Sequence, residues 1–222
     1  MHDLWFWLGL FGLGAYHGIN PGMGWLFAVA LGLQEKSRNA IYRALLPIAL
    51  GHALATGLVV LFMAGIGVVL PHAVVRGLAA FTLIAFGVYR LVRARHPKWV
   101  GMRVDWRDLT LWSFLMASAH GAGLMLVPVL LGGSPTPDTS HAHHAPSVSQ
   151  MFSGEQVAFL GNLAVVLLSV GVHTIGYFLV MSLVALVVYE KLGLALLRHA
   201  WFNLDRLWAG ALVAAGIFTL FL

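Results

Sequence analysis

The sequence contains no cysteine, and only 9% of its 222 residues are charged. The first absence excludes disulfides, iron–sulfur clusters and thiolate metal sites, and leaves histidine, methionine, asparagine, carboxylates and backbone carbonyls as the available ligands. The second, beside a hydrophobic fraction of 60%, lies far outside the profile of a water-soluble globular chain. Walker, G-x-S-x-G and H-E-x-x-H motifs are also missing, so ATPase and hydrolase chemistry has no support. The chain reads as a non-enzyme whose energy comes from a gradient. No Lys or Arg precedes Lys36, so the first apolar stretch lacks the basic flank of a cleavable signal peptide and is expected to stay in the mature protein.

What is there is apolar sequence in long runs. A helix needs about 20 apolar residues to cross a bilayer, and six stretches qualify or come close: 4–33, 45–70, 77–91, 109–132, 156–189 and 207–222. The fold class expected is all-α, a polytopic membrane protein of six transmembrane helices. The net charge of +5 does not call for nucleic acid, because its placement follows the rule that Lys and Arg collect in cytoplasmic loops. Lys36, Arg38 and Arg43 lie between the first and second stretches, and Arg90, Arg93, Arg95, Lys98, Arg103 and Arg107 between the third and fourth. Lys191, Arg198 and Arg206 lie between the fifth and sixth, and Arg76 alone falls on the opposite side. That asymmetry puts both termini on the periplasmic or exterior face of a bacterial inner membrane.

The chain also repeats itself. Ala15-Tyr16-His17-Gly18 matches Ser118-Ala119-His120-Gly121, Gly51-His52-Ala53 matches Val172-His173-Thr174, and Ile84-Ala85-Phe86-Gly87 matches Val213-Ala214-Ala215-Gly216. Three helices per half is an odd number, so the second half must be inverted relative to the first, as in secondary transporters with midplane sites. The division is a first three-helix repeat at 1–95, a basic cytoplasmic linker at 96–108, and a second repeat at 109–222 with a His-rich exterior loop at 133–154. Ser153 and Gln156 read as a capping box opening the fifth helix.

Four of the 11 histidines, His17, His52, His120 and His173, sit ten or more residues inside apolar stretches, on the order of 15 Å deep at the helical rise. An ionisable ring at that depth faces protein or a wet cavity and marks a functional candidate. Neutral imidazoles from four helices suit Zn, Ni, Co, Cu or Fe, while any one of them alone could serve only to hydrogen-bond a neighbouring helix. After His17 the run Asn20-Pro21-Gly22 is expected to break the first helix, freeing carbonyls as ligands, with Asn20 beside them. Gly121, Gly123 and Pro128 suggest a similar irregularity after His120. Met23, Met63, Met116, Met125 and Met181 offer thioethers to a soft ion such as Cu(I), or simply fill the core. His141, His143 and His144 form an accessory metal-binding tract in the exterior loop. The carboxylates Asp3, Glu35, Asp105, Asp108, Asp138, Glu155, Glu190 and Asp205 all fall at helix ends or in loops. A divalent ion held by imidazoles alone would therefore keep its full charge in a low-dielectric site.

With six helices in paired halves, the His-Gly and Asn-Pro break in the first helix and the His-rich loop, the sequence resembles the lysine-exporter transporter superfamily. Within it the likeness is to the nickel/cobalt permeases and the urease and hydrogenase accessory permeases. The resemblance implies a pathway formed or flanked by His17, Asn20, His52, His120 and His173, with a transition-metal ion as the substrate. Those permeases place an Asp five residues after their first-half histidine, where this chain has Gly22. Two other functions suit the same residues: a membrane cytochrome with bis-histidine haem, and a carrier of an organic or anionic solute with histidine proton coupling. The expected partners are the lipid bilayer and a metal ion or small solute, and the small-residue faces permit a homo-oligomer.

Overall fold

Proline and glycine do not by themselves end a helix in this chain: Pro47 lies inside a continuous helix of 32 residues. The computed structural model describes residues 2–69, 72–92, 105–133, 154–192 and 204–221, and every regular element among them is helical. Helix α1 spans His2–Ile19, a 3₁₀ turn covers Pro21–Met23, α2 spans Trp25–Glu35, α3 Arg38–Val69 and α4 His72–Val92. In the second half α5 spans Trp106–Ala119, α6 Leu126–Gly133, α7 Gly154–Val187 with a π-helical turn at Val188–Leu192, and α8 Leu204–Leu220. The His-rich loop residues His141, His143 and His144, the linker through residue 104 and the Ser153 cap lie outside the described residues.

Two of the six apolar stretches are each split into two helices. In the first, Asn20 adopts an extended backbone and its Oδ1 accepts the Gly22 N–H at 2.9 Å. Pro21 then opens the 3₁₀ turn, and Gly24 takes φ 134°, a conformation open to glycine and hostile to other residues. In the second, α5 ends at a Schellman cap: Gly121 is left-handed at φ 67°, Ala122 N–H reaches Ala117 O at 3.0 Å, and Gly121 N–H reaches Ser118 O at 3.0 Å. Helix α3 starts earlier than its apolar run. Ser37 caps it, with Oγ accepting the Asn39 N–H at 3.2 Å, so the polar residues Arg38 to Arg43 join the helix.

Three helical segments among the described residues, Arg38–Gly65, Ala73–Val92 and Leu163–Lys191, are long and apolar enough to cross a membrane; Leu4–Ile19, Trp25–Glu35 and Ala209–Leu220 are apolar but shorter. Polarity is inverted relative to a protein in water. On α3, Leu46, Leu50, Leu54 and Leu58 recur every fourth residue and are exposed, while His52 and Thr56 on the same helix are completely buried. Helix α7 repeats the pattern with Leu168, Ile175, Leu179 and Leu183 outside and Ser169 and His173 inside. A leucine stripe facing out and imidazoles facing in is the arrangement a hydrocarbon solvent favours, since unsatisfied polar groups cost several kcal/mol there. The fold is thus compatible with a membrane protein.

The main packing partners are α1 with α7, α3 with α5 and α4 with α8, and α3 also packs on α7. Ion pairs from Arg38 to Glu190 at 3.1 Å and from Arg43 to Glu35 at 2.6 Å bring the end of α2, the start of α3 and the end of α7 to one end of the bundle. Glycines set the closest approaches. A Cβ on Gly87 would lie 3.0 Å from both Ala209 O and Val213 N, and one on Gly216 would lie 3.0 Å from Ala80 O and Ile84 N. The α4–α8 crossing therefore tolerates no added methyl on either side. Gly87→Ala and Gly216→Ala are each expected to cost about 1–3 kcal/mol through overpacking, read as a lower midpoint of thermal unfolding in detergent. Gly77→Ala on the open face of α4, where nothing lies within 4 Å, should leave it unchanged or higher.

Candidate functional site

Each of the four histidines singled out by sequence is buried, His17, His52 and His173 completely and His120 to 1% exposure. They come from α1, α3, the cap of α5 and α7. Three of the rings meet: the His17 centroid lies 5.0 Å from that of His173 and 5.6 Å from that of His52, and His52 and His173 are 5.4 Å apart. His120 faces the break between α1 and α2, with Nε2 3.7 Å from where a Gly22 Cβ would stand, and it is near enough to His17 to interact electrostatically.

Their tautomers follow from their partners. A carbonyl oxygen can only accept, so a ring nitrogen bonded to one must carry hydrogen. His17 Nδ1 donates to Leu13 O at 2.7 Å, His120 Nδ1 to Met116 O at 2.7 Å, and His173 Nδ1 to Leu10 O at 3.3 Å. In their neutral forms all three rings have a lone pair on Nε2. His52 differs. Its i−4 carbonyl, Ile48 O, already accepts Ser113 Oγ at 2.6 Å, and its own Nδ1 is buried without a hydrogen-bond partner. Its Nε2 lies 3.2 Å from Nε2 of His173. Because the latter nitrogen holds a lone pair, His52 is the donor of an N–H···N bond. The ring planes are 16° apart, and the centroids are separated by only about two ring radii more than the nitrogens. The two imidazoles therefore meet end to end and do not stack face on face.

No family model, curated protein or solved structure matches this chain. The site has to be read from its own geometry. Tyr177, fully buried, stacks on His52 with centroids 3.9 Å apart and planes at 12°, and its hydroxyl donates to Met23 O in the broken helix. Trp25 Nε1 donates to Ile19 O at 2.9 Å. Two carbonyls freed by the break are thus taken by side chains of the protein, where the sequence suggested open ligands. Asn20 Oδ1 is likewise engaged by Gly22 N–H, so its carbonyl shapes the turn.

Among the described residues no group of three or more His, Asp or Glu side chains is disposed to hold a metal ion. What the cluster presents is pairwise: the end-to-end pair of His52 and His173, with His17 against both and His120 across the break. Bis-histidine haem needs two nitrogens about 4 Å apart on opposite faces of a macrocycle, at about 2 Å per metal–nitrogen bond. In the structure the two nitrogens of the pair stand 3.2 Å apart, in direct hydrogen bond. Tyr177 and Ser113 were not singled out by sequence. The signal was available: Tyr177 follows His173 by four residues, one helical turn along the same face.

Proposed function

We propose that this chain is a gradient-driven membrane transporter of a transition-metal ion, six-spanning and built of two inverted three-helix repeats, in the inner membrane of a bacterium with both termini outside. The observation that carries the reading is the tautomer pattern of the buried histidines. A metal-ligating imidazole is held by a hydrogen bond from its other ring nitrogen, often to a backbone carbonyl, and His17, His120 and His173 each make that bond. Two of those bonds, of His17 and His120, close on carbonyls four residues back in the same helix and so do nothing to join helices.

The six-span, two-repeat architecture is supported by the packing. Exchanging the halves turns the α1–α7 pair into α5–α3 and maps α4–α8 onto itself, and these are the three main pairings. At the glycine crossing, Gly87 meets Ala209 and Val213 while Gly216 meets Ala80 and Ile84, so one residue offset relates every member of the two contacts. Both broken helices, α1–α2 and α5–α6, occupy equivalent places in the two halves, as in carriers whose substrate site lies between repeats. In this reading α1 with α2, and α5 with α6, each complete one crossing. The ion is cargo, passed by imidazoles and changed by no chemistry, and the breaks at Asn20–Gly24 and His120–Met125 are the hinges for alternating access.

Substituting alanine for both His52 and His173 is expected to lower metal accumulation or resistance in cells on the order of ten-fold or more, because the central donors go. Elemental analysis of cells expressing equal amounts of each chain measures it. Unchanged uptake, efflux and resistance for nickel, cobalt, copper and zinc alike would remove the transporter reading.

A further inference from the structure

We propose, resting on the transporter reading, that the ion this site takes is soft and monovalent, Cu(I), seated in line between Nε2 of His52 and Nε2 of His173. The end-to-end pair supplies the geometry. Two imidazoles whose nitrogens point directly at each other match a two-coordinate d10 ion, which favours a linear N–metal–N unit. Ni(II) and Co(II) want four to six donors whose lone pairs converge on one point, and among the described residues no group of three His, Asp or Glu meets that need. Two bonds of about 2 Å in line require the nitrogens to part to about 4 Å, a modest step from the 3.2 Å of the hydrogen-bonded pair. Tyr177 allows that step, because its ring lies parallel to His52 and lets the imidazole slide in its own plane.

The proton on His52 Nε2 has to leave that nitrogen, and His52 offers another place for it. Its Nδ1 is buried and has no hydrogen-bond partner. Transfer of the proton there exposes an Nε2 lone pair and leaves the ring neutral. Ile48 holds the i−4 position relative to His52 that Leu13 holds to His17 and Met116 to His120, and its carbonyl has a second lone pair beside the one that Ser113 uses, so a small rotation of the ring would give the proton a partner. Cu(I) then replaces a proton between the two nitrogens, no electron moves, and the site gains one positive charge.

Charge and softness point the same way. The carboxylates among the described residues, Asp3, Glu35, Asp105, Asp108, Glu155, Glu190 and Asp205, all lie at helix termini, so none of them belongs to the middle of a helix where it could offset a second positive charge at the cluster. Desolvation scales with the square of the charge, which makes a monovalent ion cost about a quarter as much as a divalent one of equal size. Thioethers, the ligands that select Cu(I), lie in the same core as Tyr177, the ring that stacks on His52: Met23, Met125 and Met181. Met181 Sδ stands 3.5 Å from where a Gly24 Cβ would be, in the break itself.

The test uses the purified full-length chain in lipid nanodiscs, titrated without chloride with Ag(I), a redox-inert stand-in for Cu(I), and separately with Ni(II). Bound metal is counted by elemental analysis, and donors are identified by X-ray absorption on the unmutated chain, so the result does not depend on a variant that folds. The expected result is one Ag(I) per chain with two nitrogen neighbours, held at least about ten-fold more tightly than Ni(II) and lost in His52→Ala. Preferential Ni(II) binding, or a silver site with three or more nitrogens, overturns this inference while leaving the metal-transport reading in place. If neither ion is retained, both fall.

Discussion

Replacing Gly14 by valine is expected to cost more than about 3 kcal/mol of stability and to abolish metal retention, the largest single-residue effect that the packing implies. Gly14 and Gly18 lie one turn apart on the face of α1 that meets α7. A Cβ at Gly14 would collide with the carbonyl oxygen of His173 and approach Tyr177 N to 2.9 Å; one at Gly18 would lie 2.6 Å from Tyr177 O and 2.9 Å from Met181 N. These are backbone atoms of a continuous helix and cannot swing aside as a side chain would. The whole of α7 would have to retreat, and a small-x-x-x-small contact depends on that close approach. Function fails with stability because the same contact builds the site: His173 donates to Leu10 O on α1 and packs 5.0 Å from His17. Gly12→Val is the control, since nothing lies within 4 Å of its Cβ position. Thermal unfolding of the solubilised chains, followed by size-exclusion fluorescence, should show Gly12→Val near the parent and Gly14→Val largely aggregated. Equal midpoints for the two would mean that α1 and α7 do not pack as described.

Much of this site could be seen in the sequence because hydrocarbon makes polar residues conspicuous. A histidine deep in an apolar run has few reasons to be there, and the four chosen on that ground are all buried, three with their rings in mutual contact. The first break was legible for a similar reason: Asn-Pro-Gly cannot continue a helix. The second was only suggested, since Gly121 is a single left-handed residue in a compact cap. What sequence could not supply was direction and pairing. The spacing of His52 and His173 says nothing of which nitrogens meet, and that depends on Ser113 occupying Ile48 O. Tyr177 escaped notice because an aromatic in an apolar helix is ordinary; its place one turn after His173 was the available signal, and its hydroxyl bond to the Met23 carbonyl gives it a role. The expectation of open carbonyl ligands missed for the same reason, as Trp25 and Tyr177 are apolar in composition and polar only at one atom. Six apolar runs correspond to eight helices among the described residues, because the breaks after His17 and His120 divide two of the runs.

The two breaks are not equivalent, and Gly24→Ala is expected to show it. Gly24 has φ 134° and ψ −32°, a region that a residue with a Cβ enters only at a cost of about 1–3 kcal/mol. Its Cβ would strike Ile48 Cγ2 and stand 3.3 Å from the Tyr177 hydroxyl, so relief of the strain pushes on α3 and on the residue that stacks against His52. Gly121 has φ 67°, a left-handed conformation that asparagine also adopts. Its neighbours are the side chains of Leu212 and Phe86 at 3.1 to 3.3 Å, which can give by a rotamer change. Gly24→Ala should therefore lower both the unfolding midpoint and the silver affinity, the latter on the order of ten-fold as Tyr177 loses Met23 O and the His52 ring shifts. Gly121→Asn should cost about 1 kcal/mol and leave affinity within a factor of two or so. Should the two substitutions lower affinity equally, the link from the first break through Tyr177 to the histidine pair would be wrong, and the breaks would serve as symmetric hinges alone. A loss confined to Gly24→Ala would place ion binding and the closure of the first half-helix under one control, because the carbonyl that Tyr177 holds belongs to the turn that has to move.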